Sequence, residues 1–140
     1  MPAVRGLRTL HERLSVVAER TLSYLCSNTS VVRVFLLSGK EMRALEKKVG
    51  MGRADHTPNV LSFEEPAGFP HPETKGRVLG EVYLNKDLAA HGFREFAYLL
   101  IHGILHLLGY SPTEKNDILR MEALERKICE KVFKSIEVIE

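Results

Sequence analysis

Apolar residues recur along the chain with two different periods, and these periods divide it into elements. Leu10, Leu14, Val17, Thr21 and Leu25 return at steps of three and four, with Glu12, Arg13, Glu19 and Arg20 between them. That is the spacing of one face of an amphipathic helix and predicts a helix over 9–26. Val31 to Leu37 is a short run rich in β-branched residues, closed by Ser38 and Gly39, and predicts a buried strand. A helix should follow, with Met42, Leu45 and Val49 as its apolar stripe and Lys40, Arg43 and Lys47 as a basic one. A basic stripe is either a solvated face or a phosphate-contacting one.

Gly50 to Pro58 reads as a loop, Val60 to Phe63 as a short strand and Arg77 to Leu84 as another. Between the strands, Pro66, Gly68, Pro70, Pro72 and Gly76 rule out a regular element. Lys86 to Ala90 is a short helical piece, and Phe93 to Leu108 is apolar on nearly every face, as expected of a helix surrounded by other elements. Ser111, Pro112 and Glu114 form a capping box, which predicts a last helix to about Ile136 with Ile118, Met121, Leu124, Ile128, Val132 and Ile136 on its apolar side. With no internal repeat and no second core, the expectation is one α+β domain over 1–140, a small mixed β-sheet packed with helices around the histidine-bearing helix.

Composition narrows the class without naming a function. With 44% hydrophobic and 27% charged residues the chain is globular rather than disordered. Its net charge of +2 permits an anionic partner but falls short of a strongly basic nucleic-acid footprint. Cys26 and Cys129 form no C-x-x-C pair, so neither a disulfide framework nor a thiolate metal site is expected. Arg5, Arg8, His11, Glu12 and Arg13 interrupt the amino terminus, and the apolar run 96–108 is shorter than the ~20 residues of a membrane span, so a cytoplasmic protein is expected.

Candidate chemistry lies in that apolar run. His102 and His106 are four residues apart, so on a helix both imidazoles project from one face and can share a metal ion. The alternative is that each ring is satisfied by ordinary core groups, since an unpartnered polar group in an apolar setting costs about 1–3 kcal/mol. Gly103 follows the first histidine; glycine inside a helix points to close packing against a neighbour. It also removes the glutamate that activates water in H-E-x-x-H metalloproteases, so peptide hydrolysis by that route is excluded.

The segment His102-Gly103-Ile104-Leu105-His106-Leu107-Leu108-Gly109-Tyr110 resembles the signature of the YbeY endoribonucleases, and Asn59-Val60-Leu61-Ser62-Phe63 resembles their second motif. Leu79-Gly80-Glu81-Val82 is similar to a family strand, and Met121 and Glu125 are suitably placed in the last helix, so the likeness covers roughly residues 31–130. The resemblance implies a zincin-like α+β fold, one Zn²⁺ ion, cleavage of single-stranded RNA and work on the 3′ end of small-subunit ribosomal RNA, with small-subunit proteins as further partners. It implies His102 and His106 as metal ligands and an arginine before the second motif, for which Arg53 is the nearest, as a catalytic phosphate contact. Where the family carries a third histidine this chain has Pro112, which has no electron pair for a metal. Glu114 and Asp117, on the first turns of the last helix, are the candidate substitute ligands. Two readings follow: a working metal-dependent endoribonuclease, or a degenerate member that binds RNA or assists ribosome assembly without cutting.

Overall fold

A computed structural model describes residues 9–25, 30–50, 57–66, 77–110 and 115–139. Helix α1 (Leu10–Tyr24) is followed by strand β1 (Ser30–Leu37), helix α2 (Gly39–Lys48), strands β2 (Val60–Glu64) and β3 (Arg77–Asn85), a 3-10 helix Lys86–His91, helix α3 (Phe93–Leu107) and helix α4 (Lys115–Ile139). The chain is therefore α+β, as its patterning predicts. The starts of α1 and α2 are set by short polar side chains. Thr9 accepts the Glu12 N–H at 3.1 Å ahead of α1, and Ser38 with Glu41 forms a reciprocal capping box on α2.

The sheet order is β1-β3-β2, with β1 parallel and β2 antiparallel to β3. Val34 pairs with Val82 and Leu36 with Leu84, so these residues share one face, and Val60 and Ser62 join them from β2. The register shifts between Val31 and Val32, which leaves Leu79 as a bulge beside Gly80. A side chain at Gly80 would run into the Phe63 carbonyl at 2.1 Å, so only glycine lets β2 and β3 close there.

Helices α1, α3 and α4 bury their apolar faces with this inner side of the sheet in one core that includes Leu14, Val17, Val82, Leu100, Ile104 and Ile128. Phe35, Tyr83, Leu61 and Phe63 lie on the opposite side by strand alternation. Met42 and Leu61 are buried but stand outside the main core, so α2, which contacts β1 and β3, covers part of that outer side.

Two apolar stripes end earlier than periodicity predicts. Val49, just past the last residue of α2, is 43% exposed, and Ile118, in the first turn of α4, is 42% exposed. In α2 the buried row runs Gly39, Met42, Glu46, so a carboxylate occupies the place expected for an apolar residue. The predicted capping box at 111–114, the loop residues 51–56, Cys26 and the connection from Gly68 to Gly76 lie outside the described residues. No described helix is long and apolar enough to cross a membrane.

Helix α3 stops abruptly after its histidines. Gly109, at φ +97°, donates its N–H to the His106 carbonyl at 3.1 Å, and Tyr110 donates to the Leu105 carbonyl at 3.0 Å. These two bonds make a Schellman motif, which satisfies carbonyls that a helix end otherwise leaves open.

Candidate functional site

The fully buried residues Leu100, Ile101, Ile104 and Leu105 anchor α3 in the core and leave one row of the helix free to face outward. His102 and His106 occupy that row. Their rings lie 4.5 Å apart between centroids, edge to face, and their Nε2 atoms approach to 2.9 Å. The side-by-side imidazoles expected from the spacing are therefore present.

A third group completes the arrangement. Helix α4 packs against α3 with Met121, Glu125, Ile128 and Val132 on its buried side, and Glu125 is only 2% exposed. Its Oε2 lies 2.6 Å from His102 Nδ1, in the range of a charge-assisted hydrogen bond. A carboxylate only accepts, so Nδ1 carries the proton, and in the neutral ring the Nε2 lone pair points at His106. Burial, then the neighbouring His102 ring, pushes the His106 pKa down, while Glu125 acts in the other direction. The neutral form that results is the one able to donate a lone pair to a metal.

Glu125 entered the sequence reading only through a likeness to the last helix of a family, not as a partner for a histidine. The signal available was its place in the row Met121, Glu125, Ile128, where a carboxylate replaces an apolar residue.

Gly103 sits where α3 meets the sheet. A Cβ there would lie 2.8 Å from Ser62 Oγ and 2.9 Å from Val82 Cγ1, and Ser62 donates to the Gly103 carbonyl at 3.3 Å. The close packing expected of this glycine is thus against β2 and β3 side chains. Asn59, from the same motif, is exposed and contributes its carbonyl to the Asn85 N–H at 3.0 Å.

Two nitrogens each about 2.0–2.1 Å from a tetrahedral zinc stand about 3.3 Å apart. The separation of 2.9 Å is within a few tenths of that, and the outer carboxylate on Nδ1 is the partner that metal-binding histidines usually have. The pair thus fits a zinc-type ion as two ligands of a larger set. Among the described residues no group of three or more histidine, cysteine or acidic side chains is placed to hold an ion. Asp117 is exposed, on the first turn of α4. Glu114, Arg53 and Pro112 lie outside the described residues.

Comparison with known proteins bears on the whole chain. A sequence model described as endoribonuclease YbeY matches residues 6–133. The endoribonuclease YbeY of Heliobacterium modesticaldum is 31% identical over 133 residues, which cover 84% of this chain and 78% of that protein. The one from Aquifex aeolicus is 28% identical over 137 residues, covering 89% and 85% of the two chains. That of Anaplasma marginale is 29% identical over 133 residues, with 86% and 83% covered. With the paired imidazoles of α3 within the matched residues 6–133, the chain belongs to the YbeY family.

Proposed function

We propose that this chain is a metal-dependent endoribonuclease that cuts single-stranded RNA during maturation of the 3′ end of small-subunit ribosomal RNA. The observation that supports it most is the approach of His102 and His106 through their Nε2 atoms, with Glu125 behind the first ring. His102 and His106 hold the ion, of the zinc type, and Glu114 and Asp117 are the candidates for an oxygen ligand in place of the missing histidine. When bound, such an ion acidifies water and offsets charge that develops on a phosphate.

The protein's own groups prepare the site. Glu125 holds the proton on His102 Nδ1 and so leaves the lone pair on Nε2, beside His106, while burial pushes the His106 pKa down and favours its neutral ring. Gly103 brings α3 flush with Ser62 and Val82, which fixes the rings relative to the sheet. Arg53 is the proposed contact for a phosphate oxygen, where a guanidinium can form paired charge-assisted bonds.

Pro112 motivates the second reading, a non-cleaving RNA-binding or ribosome-assembly factor. That reading is not favoured, because it leaves two facing imidazoles and a buried carboxylate without a task, at a desolvation cost. Elemental analysis of protein purified without added metal, paired with cleavage of single-stranded RNA, tests the proposal. Close to one equivalent of bound ion is expected, with cleavage reduced by 100-fold or more in His102→Ala. Metal-free protein that cuts RNA at the same rate would overturn it, and ion-loaded protein that cuts nothing would favour the assembly factor.

A further inference from the structure

The row that carries the histidines begins one turn earlier. Tyr98, His102 and His106 follow at steps of four on α3, so the backbone of Tyr98 lies about 6 Å along the helix axis from that of His102. Opposite, α4 presents Ile118, Met121, Glu122 and Arg126. Between the two helices is an open cavity of about 490 Å³ with His102 in its wall, within the range of small-ligand pockets.

Its lining has three parts. The Tyr98 ring, the Met121 side chain and the exposed Ile118 give apolar surface around a slot open to solvent. The Tyr98 hydroxyl makes no hydrogen bond to the described residues, and its pKa is raised by burial, then by Glu125 and Glu122. Glu122 and Arg126, one turn apart on α4, make no hydrogen bond or ion pair among the described residues and interact with Tyr98 through charge alone, so an acceptor and a donor group both line the slot with hydrogen-bonding capacity to spare.

We infer that this cavity is a nucleobase subsite that takes a base with an exocyclic amino group, next to the phosphate handled at the histidines. The inference rests on the endoribonuclease reading above. A planar aromatic face beside apolar side chains suits a base, because unpaired bases of single-stranded RNA are held by stacking on aromatic rings. The two carboxylates, Glu122 and Glu125, outnumber the one guanidinium, Arg126, in this lining and so disfavour a phosphate in the same space. The Glu122 carboxylate instead accepts from an amino group, as acidic side chains do from cytosine N4. Uracil, with a carbonyl at that position, offers Glu122 an acceptor against an acceptor. Arg126 supplies donors to the ring carbonyl or stacks on the base.

Short oligo(C) and oligo(U) RNAs of equal length test this. The intact chain is expected to show a KM for oligo(C) at least fivefold below that for oligo(U). Tyr98→Ala should raise the oligo(C) KM roughly tenfold while kcat changes less than twofold, and Tyr98→Phe, which keeps the ring, should restore it. Glu122→Gln should bring the ratio of the two KM values to within twofold. Equal KM values for the two RNAs in the intact chain, or a Tyr98→Ala variant that loses kcat with KM unchanged, would overturn the subsite. If the intact chain cuts neither RNA, the nuclease reading fails, and binding of the same oligonucleotides by fluorescence anisotropy then decides the subsite alone. A preference for oligo(C) that Glu122→Gln abolishes supports it, and equal affinities overturn it.

Discussion

The two sides of the sheet each bury one glutamate, and they treat it in opposite ways. On the outer side Glu46 of α2 is 7% exposed, and its Oε1 finds no hydrogen-bond partner among the described residues. On the inner side Glu125 of α4 is 2% exposed and bonds to His102 at 2.6 Å. Locally the two are alike, since each follows a buried methionine by four residues, Met42 before Glu46 and Met121 before Glu125. What separates them is the group that the fold places opposite. A buried carboxylate becomes part of a site only when its partner transmits its effect to a reactive atom; otherwise it is a cost of about 1–3 kcal/mol.

The largest effect expected from breaking this contrast is at Glu125. Glu125→Ala should lower the ion affinity of the chain by 10–100-fold, read by chelator competition, and destabilise it by about 1–3 kcal/mol in urea unfolding. Glu125→Gln, which keeps an acceptor, should lose less of both. A Glu125→Ala variant as benign as the same change at Glu46 would erase the distinction. Next comes Gly103→Ala, where the new methyl meets Ser62 and Val82. Overpacking should cost about 1–3 kcal/mol, partly offset by the better helix propensity of alanine, again read by urea unfolding.

Glu46→Leu sharpens the comparison from the other direction. Removing an unsatisfied carboxylate for an apolar group should leave stability unchanged or raise it by about 1 kcal/mol, measured by thermal and urea unfolding. A large loss would mean that Glu46 has a partner of its own.

The smallest effect concerns Tyr83, also on the outer side, whose hydroxyl donates to Glu81 at 2.9 Å. Burial, followed by that bond and the charge of Glu81, pushes its pKa up to about 12. The fold thus favours the protonated phenol. Its contribution to stability is complete below the unfolded pKa of about 10 and is lost as pH rises through about 12. Tyr83→Phe should flatten stability against pH in that window and lower it at neutrality by about 1 kcal/mol, through loss of the bond to Glu81.

The fold was largely legible because most of it follows from local period. The stripe from Leu10 to Leu25 became α1, the run at Val31 to Leu37 became β1, and the two histidines came together because residues four apart on a helix always do. The stripe positions Val49 and Ile118 misled because an amphipathic period marks a face of a helix and not how far that face is covered. Glu125 was not legible as a histidine partner for a different reason. It lies 23 residues from His102, and only the docking of α4 on α3 brings them together. Nothing in the spacing of either helix distinguishes it from Glu46.

The turn that ends α3 carries a consequence for the reactive pair. His106 gives its own carbonyl to the Gly109 N–H, so the residue holding the second imidazole belongs to the backbone reversal itself. Gly109 is exposed, and no described residue lies within 4 Å of where a Cβ would sit, yet most other residues would adopt its left-handed torsion only at a cost. The freedom of this surface position to vary is therefore limited by handedness rather than by crowding. A substitution that never touches either imidazole would still re-aim one of them.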